Sequence, residues 1–264
     1  MDPRRRQKMK SEKIKMVRPL NENTFLIRFE SEIISNTAQA GQFIHIKCFD
    51  GLDAYLRRPI SICSVDRANK TFDIVYQVRG KGTGLLCAFR PEDEMDVMGP
   101  LGHGFTLHAE HRNIVVVGGG IGIFPLLQLL KDHPALKKTA ILGFRSRAVV
   151  VLEDEFKEHC DELIIATDDG SYGEKGFVTS ILEKRVQEEP VDMVYFCGPS
   201  IMMKRGVEIL RQRNIPCEVS MEQRMGCGIG ACLVCACKTK KGDDWDYSHV
   251  CKDGPVFDGY EVVF

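Results

Sequence analysis

Four cysteines near the carboxyl end, Cys227-x4-Cys232-x2-Cys235-x15-Cys251, constrain this chain more than any other feature. The segment around them, from about Glu222 to Phe264, shows neither strand nor helix periodicity and is rich in glycine. A stretch that poor in regular structure needs a staple to be ordered, and a metal centre supplies one. Gly226, Gly228 and Gly230 let such a loop bend sharply and bring N–H groups close to the sulfurs.

Eleven cysteines occur in all, six of them in the last fifty residues. No apolar stretch follows the first ten residues, so export is not expected and clustering of this kind reads as metal ligation before disulfide scaffolding. A C-x4-C-x2-C run followed by a distant fourth cysteine is the plant-type [2Fe–2S] spacing, and it makes Cys227, Cys232, Cys235 and Cys251 the expected ligands. Structural zinc is the competing use, although it more often shows paired C-x2-C units. A Rieske centre needs two histidines, and only His249 is nearby. Cys237 falls on the opposite side of an extended segment from Cys235 and reads as packing. Cys48, Cys63, Cys87, Cys160 and Cys217 stand singly in apolar surroundings and read as small core residues.

The rest of the chain divides by its grammar. From about Lys13 to Met98 short alternating strands, such as Thr24 to Phe29, Gln42 to Lys47 and Thr71 to Val78, predict an antiparallel barrel, interrupted by one short helix after Gly80 to Gly84. Beyond His108 to Arg112, strands at 114–117, 139–143, 163–166, 193–197 and 217–220 alternate with helical patterns at 124–131, 152–159, 178–186 and 201–211. Strict alternation predicts a parallel sheet covered on both faces. The expected division is a basic arm at 1–11, a barrel at 12–107, an α/β domain at 108–215 and a cluster domain at 216–264. Net charge is -1, so nothing gathers nucleic acid. The arm with Arg4, Arg5, Arg6, Lys8 and Lys10 reads as a solvated terminus. No apolar run approaches the ~20 residues of a membrane span, and a cytoplasmic location is expected.

Four further motifs carry chemistry. In the barrel half, Arg57-Arg58-Pro59-Ile60-Ser61 places an arginine and a hydroxyl on one strand, a means of holding a flavin nucleotide by its diphosphate and its ring. Gly82-Thr83 opens a helix whose free N–H groups suit phosphate. In the α/β half, a hydrophobic strand runs into Gly118-Gly119-Gly120-Ile121-Gly122 and then a helix, the arrangement for a dinucleotide pyrophosphate. It departs from the usual fingerprint, because Ile123 holds the third glycine position and no acid ends the next strand. Cys197-Gly198-Pro199 ends a later strand and is expected to face the same crevice, with Cys197 able to touch a nicotinamide.

These pieces in this order resemble the ferredoxin–NADP reductase superfamily. The tail, Ser220 to Cys232 with Cys251 to Phe257, resembles the electron-transfer subunits of dihydroorotate dehydrogenase B. The resemblance implies FAD on Arg58, Pro59, Ile60 and Ser61, on the strand around Val75, Tyr76 and Gln77, and on Gly82 and Thr83. It also implies NAD as substrate, a separate FMN-bearing catalytic subunit, and a heterotetramer with two of each chain. Where the superfamily commonly has an aromatic residue before the serine, this chain has Ile60. The expected path is partner FMN, cluster, FAD, NAD, with no catalytic acid or base. Rival expectations are the flavin subunit of a sulfhydrogenase or of a ferredoxin–NADP reductase, and a non-catalytic iron–sulfur module. Arg145 and Arg147 leave NADP open as the dinucleotide.

Overall fold

The computed structural model describes residues 10–48, 51 and 54–264. The basic arm therefore lies almost wholly outside the described residues. Six strands, β1 (Lys10–Asn21), β2 (Thr24–Glu30), β3 (Phe43–Ile46), β4 (Arg58–Asp66), β5 (Thr71–Gln77) and β6 (Glu94–Leu101), close into an antiparallel barrel in the order β1-β2-β5-β4-β3-β6. Alternation along β2 explains the closure. Phe25, Ile27 and Phe29 turn into the barrel core, while Leu26 turns outward against the neighbouring domain.

Two helices interrupt the barrel rather than the one expected: α1 (Glu32–Thr37) and α2 (Lys81–Leu85). The first is a short turn whose Ser31 hydroxyl accepts the Ile34 N–H at 3.3 Å. Six residues are too few for a helical period to show in the sequence.

The second unit is a seven-stranded sheet. Its strands are β7 (Asn113–Gly119), β8 (Lys137–Phe144), β9 (Glu162–Thr167), β10 (Glu174–Lys175), β11 (Met193–Cys197), β12 (Cys217–Ser220) and, beyond the hairpin β13 (Ala236–Lys241) and β14 (Asp244–His249), β15 (Val256–Asp258). The order is β10-β9-β8-β7-β11-β12-β15, parallel except for β15. Thus β12 and β15, on the far side of residue 215, are both members of this sheet.

Helices α3 (Phe124–Asp132) and α4 (Glu153–His159) cover one face, and α5 (Val178–Glu188) and α6 (Ser200–Arg211) the other. Strand β7 has buried side chains on both faces: Ile114 and Val116 meet the α3 side, Val115 and Val117 the α5 side. Because α3 also packs on β4, where Gln128 Oε1 accepts the Val65 N–H at 2.7 Å, one apolar core runs from the barrel wall into the α/β unit.

The tail is not devoid of regular structure, as its composition had implied; β13 and β14 form a hairpin. Only Cys237 and Thr239 of β13 are buried, so the strand lacks the apolar alternation that would announce it. Among the described residues no helix is long and apolar enough to cross a membrane.

Candidate functional site

The glycine loop after β7 and the loop after β11 meet at the carboxyl end of the sheet. At Gly122 a Cβ would stand 2.4 Å from the Cys197 carbonyl oxygen, so only glycine permits this approach. Above the junction a cleft of about 1000 Å³ opens between the α/β unit and the barrel. Gly119, Gly120, Gly122, Gly198 and Pro199 line it from below, and Gln77 closes it from the barrel side. Gly118 lies behind, packed on Ile123 and Leu126 of the helix start.

The same cleft receives residues that the motifs did not announce: Arg79, Asp168, Phe177, Ile201, Arg205 and Glu222. Asp168 follows β9 directly, and its N–H donates to the Phe144 carbonyl at 3.0 Å, which sets it beside Arg145. An acid, absent from the end of β8, thus stands at the end of the adjacent strand. The available signal was the rule that ligands bind outside carboxyl strand ends, applied to every strand rather than to the one after the glycine loop. Arg145 faces the cleft, whereas Arg147 lies over the Tyr172 ring at 4.7 Å.

A second, smaller hollow of about 180 Å³ adjoins the first, sharing Ile121 and Glu222 with it. Pro59 and Ser61 of β4 form one wall, Cys197 another, and Met225 and Pro255 of the cysteine-rich tail a third. Burial pushes the Cys197 thiol up to about 12, so it stays protonated and offers a small soft surface rather than a nucleophile. Crowding likewise pushes the Glu222 carboxyl up, with Arg79 pulling it back.

Strand parity separates the remaining barrel residues. Ile60, between Pro59 and Ser61, packs on the barrel core instead of the hollow. The Tyr76 side chain is 2% exposed and its hydroxyl meets Cys87 Sγ at 3.7 Å, so it offers a ligand only its main chain; Val75 packs at the interface with α3. Gly82 lies against Arg58. A Cβ there would stand 2.3 Å from Arg58 Nε, which means the guanidinium rests directly on the first turn of α2. A cation at a helix start with open N–H groups suits a diphosphate. The Thr83 hydroxyl is engaged within that turn, accepting the Arg79 N–H at 2.9 Å.

The four motif cysteines gather in two pairs, Cys227 with Cys232 and Cys235 with Cys251. Cys227 Sγ accepts N–H groups from Ile229, Ala231 and Cys232 at 3.4, 3.2 and 3.4 Å. Cys251 Sγ accepts the Gly230 N–H at 3.1 Å, and Cys235 Sγ accepts the Cys251 N–H at 3.4 Å. Burial pushes the Cys227 thiol up, but the donated N–H groups outweigh it and bring the thiol down to about 7. Among the described residues no three His, Cys, Asp or Glu side chains converge as they would on a single ion. Four thiols, with N–H groups donated to Cys227, Cys235 and Cys251, make a donor set that fits the thiolate ligation of a [2Fe–2S] centre. Cys235 and Cys251 are buried and Cys232 is exposed, with Ile229, Leu233 and Val234 exposed around it. Leu233 adopts φ +60°, a strained conformation for a branched side chain. Cys237, 7% exposed, belongs to the apolar core. Cys48, Cys63 and Cys217 are buried, and Cys87 and Cys160 are half-buried.

Residues 222–263 match the iron–sulfur cluster binding domain of dihydroorotate dehydrogenase B, and residues 116–207 match the oxidoreductase NAD-binding domain. The chain is 42% identical over 250 residues to the dihydroorotate dehydrogenase B (NAD(+)) electron transfer subunit of Geobacillus thermodenitrificans, covering 93% of this chain and 95% of the relative. It is 40% identical over 244 residues to that of Desulforamulus reducens, covering 92% and 93%. Among solved structures it is similar to an NADH-dependent reduced ferredoxin–NADP oxidoreductase studied for flavin-based electron bifurcation, with a TM-score of 0.83, 31% identity and coverage of 97% and 91%. A ferredoxin–NADP reductase from Neisseria gonorrhoeae with bound FAD and NADP shares the fold at a TM-score of 0.64, 18% identity and coverage of 78% and 91%.

Proposed function

The chain belongs to the family of dihydroorotate dehydrogenase B electron-transfer subunits, and from that premise we propose how its residues serve a relay between a catalytic partner and NAD. It is the oxidoreductase subunit that carries FAD and a [2Fe–2S] cluster, and its role lies in pyrimidine biosynthesis. When bound, the flavin converts between the hydride exchanged with nicotinamide and the single electrons that a two-iron centre carries. The protein's own task is to hold these groups in order and dry.

In this reading Arg58 and the α2 start hold the flavin diphosphate, and Pro59 and Ser61 border its ring in the small hollow. Gly119, Gly120 and Gly122 cradle the dinucleotide pyrophosphate, while Gly198 and Pro199 leave room for nicotinamide beside the Cys197 thiol. Asp168 accepts the adenosine ribose hydroxyls, which favours NAD over a dinucleotide bearing a 2′-phosphate at that position. Cys227, Cys232, Cys235 and Cys251 hold the cluster. No side chain is assigned as a catalytic acid or base.

The observation that carries this reading is the shared wall: Met225 and Pro255, from the cysteine-rich tail, line the hollow formed by Pro59, Ser61 and Cys197. One slot thus touches flavin-strand, nicotinamide and cluster segments together. The partner in this reading is an FMN-bearing catalytic subunit, present with this chain as two of each. It docks over exposed Cys232, with Ile229, Leu233 and Val234 as the apolar rim.

The test is reconstitution. Anaerobically purified chain should carry flavin and iron, and NADH should bleach the flavin in a stopped-flow mixer. Added to the catalytic subunit, it should confer dihydroorotate-dependent NAD reduction. A chain that reduces ferredoxin with NADH but leaves the catalytic subunit uncoupled from NAD would replace this partner with the ferredoxin type.

A further inference from the structure

The barrel meets the cluster-binding segment at one buried imidazole. His45 lies on β3, opposite Pro59 of β4 on one side and Met98 of β6 on the other. It is 0% exposed, and neither ring nitrogen has a well-formed hydrogen bond. Buried polar groups left in that state are costly and rare, so a partner belongs within reach. The cysteine loop supplies one. At Gly228, with φ +74°, a Cβ would stand 2.6 Å from His45 Nδ1, so only the bare glycine backbone lets the loop lie on the ring.

Two main-chain carbonyls, those of Arg57 and Cys227, flank the imidazole. Arg57 is itself tied down: its guanidinium donates to the His45 carbonyl at 3.3 Å and to the Asp96 carboxylate at 2.6 Å. The ring therefore sits between the start of the strand bearing Arg58 and Pro59 and the first cysteine of the cluster loop. A neutral imidazole has one N–H to give, and two acceptors compete for it. Nδ1 is the ring nitrogen nearest the Gly228 position, so a proton carried there is within reach of the cysteine loop, and given to the Cys227 carbonyl it joins the two segments.

We propose that His45 is a positioning residue that donates its N–H to the Cys227 carbonyl and so fixes the [2Fe–2S] loop on the flavin barrel. The inference rests on the cofactor reading above. Rigid support of this kind sets the separation of two redox groups that never touch the supporting residue.

The experiment compares the holoprotein with His45→Leu and His45→Gln, the latter keeping a side-chain N–H. Three readouts follow the loop directly: the electron paramagnetic resonance line of the dithionite-reduced cluster, the rate of iron release to a ferrous chelator, and amide exchange across residues 226–232. His45→Leu should broaden or shift the line and speed iron release roughly tenfold, the equivalent of one net hydrogen bond. His45→Gln should recover most of the loss. Unchanged line, release and exchange in the Leu variant overturn the proposal, as does an equal defect in both variants, which would assign the effect to ring volume. If His45→Leu does not fold, Gly228→Ala approaches the same contact from the loop side. That variant should loosen the cluster in the same three readouts, and parental behaviour there overturns the proposal too. Parent protein lacking flavin or iron would instead sink the cofactor reading itself.

Discussion

Replacing Gly82 by alanine separates flavin affinity from fold stability. The added methyl would stand 2.3 Å from Arg58 Nε, 2.5 Å from Cζ and 2.6 Å from Nη2, so one of the two must move. The guanidinium is the end of a flexible side chain, whereas Gly82 is fixed in α2 and buried; the arginine gives way. If Arg58 holds the flavin diphosphate, the displaced guanidinium forfeits a charge-assisted hydrogen bond of about 1.5–3 kcal/mol. That corresponds to a Kd for FAD weaker by roughly ten- to a hundredfold. The apoprotein should not suffer, because alanine in place of glycine within a helix contributes about 0.5–1 kcal/mol of stability. Fluorescence titration of flavin-stripped protein gives the affinity, and thermal melts of the same preparation give the stability. Arg58→Ala should weaken binding as much, and the double variant little further, since both remove one interaction. An unchanged FAD affinity in Gly82→Ala, or an apoprotein melting well below the parent, would refute the reasoning.

Other substitutions test separate parts. Cys232→Ser should abolish the visible absorbance of the cluster while NADH still bleaches the flavin; Cys237→Ala should keep the cluster and cost about 1 kcal/mol in urea melts, as a buried packing group does. Asp168→Asn should raise the KM for NADH roughly tenfold in flavin reduction and leave that for NADPH nearly unchanged, through loss of a charged acceptor for the ribose diol. Acidification should destabilise the fold through His133, which burial holds down to about 4. Its Nδ1 accepts the Ala135 N–H at 3.0 Å, and its Nε2 lies 3.2 Å from the Tyr195 hydroxyl, so the neutral ring is the one that fits. Between an unfolded value of about 6.5 and the folded value the unfolded chain binds the extra proton, so this stability is complete above that range and lost as pH falls through it. The share of His133 in the loss between pH 7.5 and 5 should be about 2 kcal/mol, read from urea melts as the difference in pH slope between the parent and His133→Gln; the buried His45 keeps a slope of its own in both.

Features written within one short stretch of chain could be read without coordinates. Cys227, Cys232 and Cys235 share one loop, Gly118 to Gly122 form one strand-to-helix turn, and the alternation of strand and helix from 114 onward is a local periodicity. Each is set by neighbours in sequence, so composition and spacing carry it. What lay beyond the sequence depended on pairing and parity. Period two says that Pro59 and Ile60 face opposite ways but not which one faces the cleft, and the barrel's closure turned Ile60 and Tyr76 toward its core. Asp168 stands beside Arg145 because β9 pairs with β8 in a register joining Thr167 to Phe144, a choice no local pattern encodes. Likewise, His45 and Gly228 are 183 positions apart in the chain and meet only because the tail folds back across the barrel. Local chemistry determined which groups this protein can hold; long-range packing decided which side chains are placed to hold them.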